Sequence, residues 1–299
     1  MNEQPALNEQ QKSKEQQLST DIMKIISNKY TGTNIKFTSN MSETKLNKML
    51  MLGMLDVIKP ASTIDTDNIY VLYERSTNTT EIISTKQLTT PRDSSELMDE
   101  IRVNSIDMTN VDTSHTVVMD YMFSNKYIKK LNLSTMNTSN VKSMYAMFKG
   151  LKLDKLDLRS FDTSKVNNMS DMFFNANIKE IDLTSFRADE LEYSSNMFEY
   201  AVIENILDLS LFDMKNVRKV NRMFKHAKIK EIILCASKPS KILTTETMFY
   251  CSIIDRLDLS NFYINEQADT DWMFDGSTIK SGIVHDEEIR HTYLHRDMT

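Results

Sequence analysis

The pair Met-Phe recurs along this chain at a spacing that leaves few folds open. Its phenylalanines are Phe123, Phe148, Phe173, Phe198, Phe224, Phe249 and Phe274, each preceded by methionine, in steps of 25, 25, 25, 26, 25 and 25 residues. A unit this short cannot bury an apolar face by itself, so a fixed period of this length predicts a solenoid whose units stack and share one core. Methionine, at 21 copies, suits such a core because its unbranched thioether fills irregular gaps between layers.

Two further columns keep the same beat. The triplets Ile106-Asp107-Met108, Leu131-Asn132-Leu133, Leu156-Asp157-Leu158, Ile181-Asp182-Leu183, Leu207-Asp208-Leu209, Ile232-Ile233-Leu234 and Leu257-Asp258-Leu259 alternate with period two, as a half-buried strand does. Five residues after each phenylalanine stands an aliphatic residue: Ile128, Leu153, Ile178, Ile203, Ile229, Ile254 and Ile279. The 26-residue step is localised by these columns, because its extra residue falls within 204–206. Three residues after most triplets comes a large residue suited to the interior, namely Met136, Phe161, Phe186, Phe212 or Phe262. Nine residues before each phenylalanine stand Ser114, Ser139, Ser164, Asp189, Lys215, Ser240 and Asn265. All but Lys215 are favoured helix N-caps, and Val166, Met169 and Met172-Phe173 follow Ser164 at helical spacing. Each unit therefore reads as strand, turn, short helix and turn, which makes the class α/β.

The stretches from Leu131 to Phe148 and from Leu156 to Phe173 resemble the BspA-like leucine-rich repeat of bacterial surface proteins and mycoplasma lipoproteins. The resemblance covers residues 98–279. It implies a right-handed solenoid of about seven 25-residue repeats with a curved strand face, roles in adhesion or protein–protein contact, and no catalytic residues. The export signal and the wall or lipid anchor of surface members are missing, so the expected location is cytoplasmic or virion-associated, with the cell surface as the alternative.

Residues 1–20 are polar and aperiodic and read as disordered. Residues 21–97 read as a small α+β domain or N-terminal cap: a short helix at 21–30, a longer one from Ser42 to Lys59 halted by Pro60, and a hairpin of 68–75 with 80–85. Leu97 and Met98 stand where a degenerate Met-Phe pair would fall. Residues 280–299 form a C-terminal cap or tail, in which His291 and His295 are spaced for one helix face, although a solvated tail is the favoured reading over a metal site. The lone Trp272 is expected to cover the C-terminal end of the core.

A net charge of −6 argues against a nucleic-acid partner, whose recognition rests on clustered Lys and Arg. No apolar run is long enough to insert in a membrane. Phosphate loop, dinucleotide fingerprint, HExxH, nucleophile elbow and CxxC are absent from the sequence. No catalytic residue, metal or cofactor is therefore expected. The middle residue of each triplet points outward, as does the residue two before it. These rows place Lys130, Asn132, Lys155, Asp157, Glu180, Asp182, Ile206, Asp208, Glu231, Ile233, Arg256 and Asp258 on one mixed-charge strip. Ile233 interrupts the acidic column near the inserted residue, as the dry centre of an interface would. The expected function is a protein-interaction module that uses this face to bind a protein partner. The alternative is a structural or adhesive component of a cell or virus surface.

Overall fold

The computed structural model describes residues 15–17, 23, 33–54, 56–58, 69–99 and 101–294. It is mostly β. Fifteen strands are described: β1 Glu15–Gln17, β2 Asn34–Thr38, β3 Asp56–Ile58, β4 Ile69–Glu74, β5 Thr79–Ile83, β6 Gln87–Thr89, β7 Ser105–Asp107, β8 Val111–Asp112, β9 Lys130–Asn132, β10 Lys152–Asp157, β11 Asn177–Asp182, β12 Val202–Asp213, β13 Lys228–Ala236, β14 Ile253–Phe262 and β15 Thr278–Val284. The helices are α1, Glu43–Met51, α2, Glu287–Leu294, and one 3-10 turn at Met214–Asn216. The strands β10 to β15 form one sheet in chain order, every pair parallel and one coil apart.

The short helix expected in each unit does not form, so the α/β reading is corrected to a β-solenoid. A ladder of stacked turns takes its place. In the coil of Phe148, the amides of Met144, Ala146, Phe148 and Gly150 donate to Asn168, Ser170, Met172 and Phe174 of the next coil, at 3.0, 3.0, 2.9 and 2.7 Å. The intervening amides of Met147, Lys149 and Leu151 close turns onto the residue three before, at 3.2, 3.1 and 3.1 Å. This alternation requires a left-handed residue two before each phenylalanine. Glu96, Tyr121, Ala146, Asp171, Asn196, Arg222, Thr247 and Trp272 all have φ between +52° and +59°, which marks eight coils, one more than the Met-Phe pairs alone show.

Geometry explains the substitution. An α-helix is about 10–12 Å across, whereas the rings of successive Met-Phe phenylalanines stack at 5.1 to 5.9 Å within 11° of parallel. Paired strands lie about 4.8 Å apart. The turn side of each coil therefore has room for a stacked turn but not for a helix. Val166, Met169, Met172 and Phe173 do face inward together, all fully buried, but through turns of three residues. The triplet, aliphatic and second aromatic columns are buried as their spacing predicts.

The expected N-caps take another role. Ser114, Ser139 and Ser164 are not acceptors at a helix start. Their amides donate to Asp112, Asn137 and Asp162 at 2.8, 3.0 and 3.0 Å, closing side-chain turns. Between them run Thr113, Thr138 and Thr163, nearly inaccessible. Each of these hydroxyls bridges the amide and carbonyl of one residue in the next coil; Thr138 does so with Asp162 at 2.8 and 2.9 Å.

Both ends are tied into the stack. Strand β2 pairs in parallel with β7 on one side and with β5 on the other, and β4 pairs antiparallel with β5 as the expected hairpin. Helix α1 begins at Ser42, as read, but ends at Met51, followed by a left-handed Gly53 (φ +64°) and then β3. Pro60 is not its stop. Of the helix expected at 21–30 only Met23 is described, and it is buried. The segment read as disordered contains β1, which pairs with β6; the rest of it lies outside the described residues. At the other end α2 covers the core: Ile289 is fully buried, and the Tyr293 ring meets Phe274 edge-on at 5.3 Å. A side chain at Gly282 would collide with Tyr293, since its Cβ would lie 2.4 Å from the hydroxyl. Trp272 does not cover the core, as expected of it, but is 65% exposed.

Candidate functional site on the strand face

The outward rows of the sheet divide into turn formers and paired charges. The acidic column is largely scaffold. Asp107, Asn132, Asp157, Asp182, Asp208 and Asp258 each accept a hydrogen bond from the amide two residues on, at 2.9 to 3.3 Å, and so help turn the chain out of the strand. Ile233 cannot do this. It sits half-buried in register between Asp208 and Asp258.

The row two residues earlier is cross-linked between coils. Lys155 reaches Glu180 at 3.2 Å, and Arg256 reaches Glu231 at 2.6 Å and Asp258 at 3.6 Å. Such exposed pairs add little stability, typically about 0–1 kcal/mol each. Their effect is to occupy the cations. Lys130 and Asn132 lie on β9, in the sheet that continues to the N-terminal strands, and Asn132 donates to Asp107 at 3.1 Å.

The ladder opens where the sequence inserts its extra residue. Strand β12 pairs with β11 only at Val202 and Ile203, and its register to β13 shifts between Ile203 and Ile206. This is a β-bulge, which leaves ladder groups of β11 without their usual partners. Asn205 supplies the replacement: its side-chain oxygen accepts from the Ile181 amide at 3.3 Å and its nitrogen donates to the Ile181 carbonyl at 3.0 Å. The side-chain amide thus takes the place of a peptide group across the gap.

Beside the bulge lies a depression of about 350 Å³, lined by Lys155, Asp157, Arg159, Glu180, Ile181, Asp182, Asn205, Ile206 and Asp208 among others. It brings together six of the expected face residues, Lys155, Asp157, Glu180, Asp182, Ile206 and Asp208. Glu231, Ile233, Arg256 and Asp258 continue the face on β13 and β14, while Lys130 and Asn132 stand apart from it. Ile206 is 45% exposed, although it belongs to a row that is otherwise charged at its nearest neighbours.

Arg159 and Asn205 are two of the lining residues that were not in the expected set. Arg159 holds Asp157 through two bonds, at 2.9 and 2.6 Å, and this contact keeps the Asp157 carboxyl below the usual aspartate range. Its signal in the sequence was an exception to the beat, since Thr109, Ser134, Thr184, Ser210 and Ser260 hold the equivalent place. Asn205 lay inside the inserted segment, but its role needs the geometry of β11. Four carboxylates and two cations line the depression. Both cations are engaged, by Glu180 and Asp157, and among the described residues neither Asp182 nor Asp208 makes an ion pair. At Asp258 burial raises the carboxyl, but the Ser260 hydroxyl and amide, with Arg256, outweigh it and leave it lowered.

No group of three or more metal-ligating side chains occurs among the described residues. His291 is exposed on α2, and His295 lies outside the described residues. No described helix is long and apolar enough to cross a membrane. A family model described as Mycoplasma protein of unknown function, DUF285, matches residues 92–208 and 205–285. No curated protein and no solved structure matches the chain.

Proposed function

We propose that this chain, which belongs to the DUF285 family of mycoplasma proteins of unknown function, is a non-enzymatic module that binds a protein partner through its strand face. One observation carries the reading: the bulged depression sets an exposed Ile206 beside Asp182 and Asp208, neither of which makes an ion pair among the described residues. An apolar contact point with charge at its rim is the usual anatomy of a recognition site, the apolar residue giving affinity and the charges giving register. The complementary surface presents an apolar side chain to Ile206 and Lys or Arg to the two carboxylates. Likeness of the repeats to the BspA-like leucine-rich repeat, whose members act in adhesion and protein contact, supports the same reading, and a right-handed coil belongs with that likeness.

The test is quantitative affinity capture with the full chain, its Ile206→Asp variant, and Lys241→Glu on an exposed corner as control. Ile206→Asp leaves the thermal midpoint unchanged, because the side chain is already half in water. Proteins retained by wild type and control but lost by Ile206→Asp support the reading. Identical capture by all three sinks it.

A further inference from the structure

The opposite side of the coil, outward of the Met-Phe ladder, carries a second surface whose chemistry differs from the strand face. Two residues after each phenylalanine the backbone is again left-handed. Asn125, Gly150, Asn175 and Gly276 fill that place as expected, but Tyr200 (φ +60°), His226 (φ +56°) and Cys251 (φ +53°) do not. The coil does not require rings here, since its other copies manage with Asn, Gly and Cys251.

The two rings stack at 4.7 Å and 15°. Phe174 meets Tyr200 edge-on at 5.8 Å, and His226 meets Tyr250 at 5.7 Å and 87°. The row thus spans four consecutive coils. An ammonium closes each end: the Lys149 nitrogen lies 4.6 Å from the Phe174 centroid, and the Lys225 nitrogen 5.2 Å from that of Tyr250.

This arrangement selects among ligands. Tyr200 and His226 turn one face each to the other, and Lys149 and Lys225 each cover a face of Phe174 and Tyr250. What the row offers is the exposed Tyr200 together with the half-buried Lys149 and Lys225 and the exposed Arg222. Of the nearby carboxylates Glu199 is only 7% exposed, and Asp171 is half-buried. Three cations, Lys149, Arg222 and Lys225, thus gather around the buried Glu199 beside the row, on a chain of net charge −6.

We infer that this turn-side row is a second docking surface, independent of the strand face, for an acidic polypeptide segment whose carboxylates set against Lys149, Arg222 and Lys225 while its apolar side chains lie on Tyr200.

Fluorescence anisotropy on the full chain tests this, with a labelled peptide of alternating Glu and Leu as probe and its Gln-Leu counterpart as control. Wild type binds the Glu peptide in a salt-sensitive manner and the Gln peptide roughly tenfold or more weakly, as expected for close charge pairs. The double variant Lys149→Glu with Lys225→Glu loses the preference. Tyr200→Asn weakens binding without lowering stability, because Asn suits the left-handed position. Ile206→Asp leaves peptide binding unchanged, which separates this surface from the strand face. The inference is overturned if wild type does not discriminate the two peptides, or if the lysine variant binds the Glu peptide as well as wild type. Tighter binding of a single-stranded oligonucleotide or of phosphatidylserine vesicles than of the Glu peptide also overturns it.

Discussion

The coils before the bulge and those after it turn the same corner in two ways. In the earlier coils the strands are short, three residues in β9 and six in β10 and β11, and the chain leaves the sheet through side-chain turns and the buried threonine bridge. In the later coils the strand runs on through the corner, for twelve residues in β12, nine in β13 and ten in β14. The threonine column ends at Thr163, and its later places hold Ala188, Met214, Pro239 and Ile264, of which Ala188, Met214 and Ile264 are buried. The difference teaches that the period is set by the Met-Phe ladder and the aliphatic columns, which do not change. The corner is free to be satisfied by hydroxyls or by continuous strand. The depression of the strand face opens beside the seam between the two styles, where the registers of β11 and β12 diverge.

The contrast can be broken most forcefully at the corner itself. Thr138→Val keeps the shape but leaves the Asp162 amide and carbonyl without their bridge, and a buried polar group left unpaired costs about 1–3 kcal/mol. In a later coil Ile264→Val removes one methylene and costs about 0.5–1.5 kcal/mol. Urea denaturation of the two variants checks the order. Equal losses would mean that the hydroxyl bridge adds nothing beyond its volume.

Asn205→Ala sharpens the seam. Removing a side chain that bonds both the amide and carbonyl of Ile181 costs about 0.5–1.5 kcal/mol, given that the site is partly open to water. Hydrogen exchange at the Ile181 amide accelerates while that at Ile232, deeper in the continuous ladder, does not. Unchanged exchange at Ile181 would show that the bulge needs no such replacement.

The smallest effect is in pH dependence, and it has two signs. Hydrogen bonds from Ser164 hold Asp162 below its ordinary 3.8; at Asp213 burial acts upward, but bonds from Ser237 and Lys215 outweigh it. A carboxyl lowered in the folded state stabilises above its unfolded value, and that contribution is lost as pH falls through the folded one. Corners of both styles therefore loosen in acid. Burial raises Glu199 above its ordinary 4.5, with Lys225 and Arg222 offsetting only part. Its sign is opposite: stability falls as pH rises from 4.5 through the folded value. Glu199→Gln is thus expected to raise the thermal midpoint at neutral pH and to lose that advantage below about pH 4.5. A midpoint difference that does not depend on pH would assign the gain to packing.

Much of the scaffold was legible because each buried column repeats. The triplets, Ile128 and its counterparts, and Phe161 and Phe186 declare themselves by recurrence, and the bulge declares itself as a break in it. On the face, recurrence located the rows but not their roles. Lys155 and Arg256 hold equivalent places, yet Lys155 pairs with Glu180 of the next coil, whereas Arg256 pairs with Glu231 of the coil before and with Asp258 of its own strand, because that depends on where a long side chain finds room. Asn205 is an unremarkable polar residue until the carbonyl and amide of Ile181 stand opposite it. Tyr200 and His226 lay in the sequence as ordinary aromatics, since nothing local states that their backbone is left-handed.

The period, the identity of the core columns, the position of the extra residue and the outward rows were determined by the sequence alone, because burial of a repeated apolar pattern has only one inside. Whether the residues before each Met-Phe pair coil as a helix or as stacked turns was decided by the tertiary structure. Apolar side chains three apart, such as Val166, Met169 and Met172, return to the same face in either. The choice rests on the amide acceptors, and those are carbonyls 24 residues away, in a neighbouring coil packed too close to leave room for a helix.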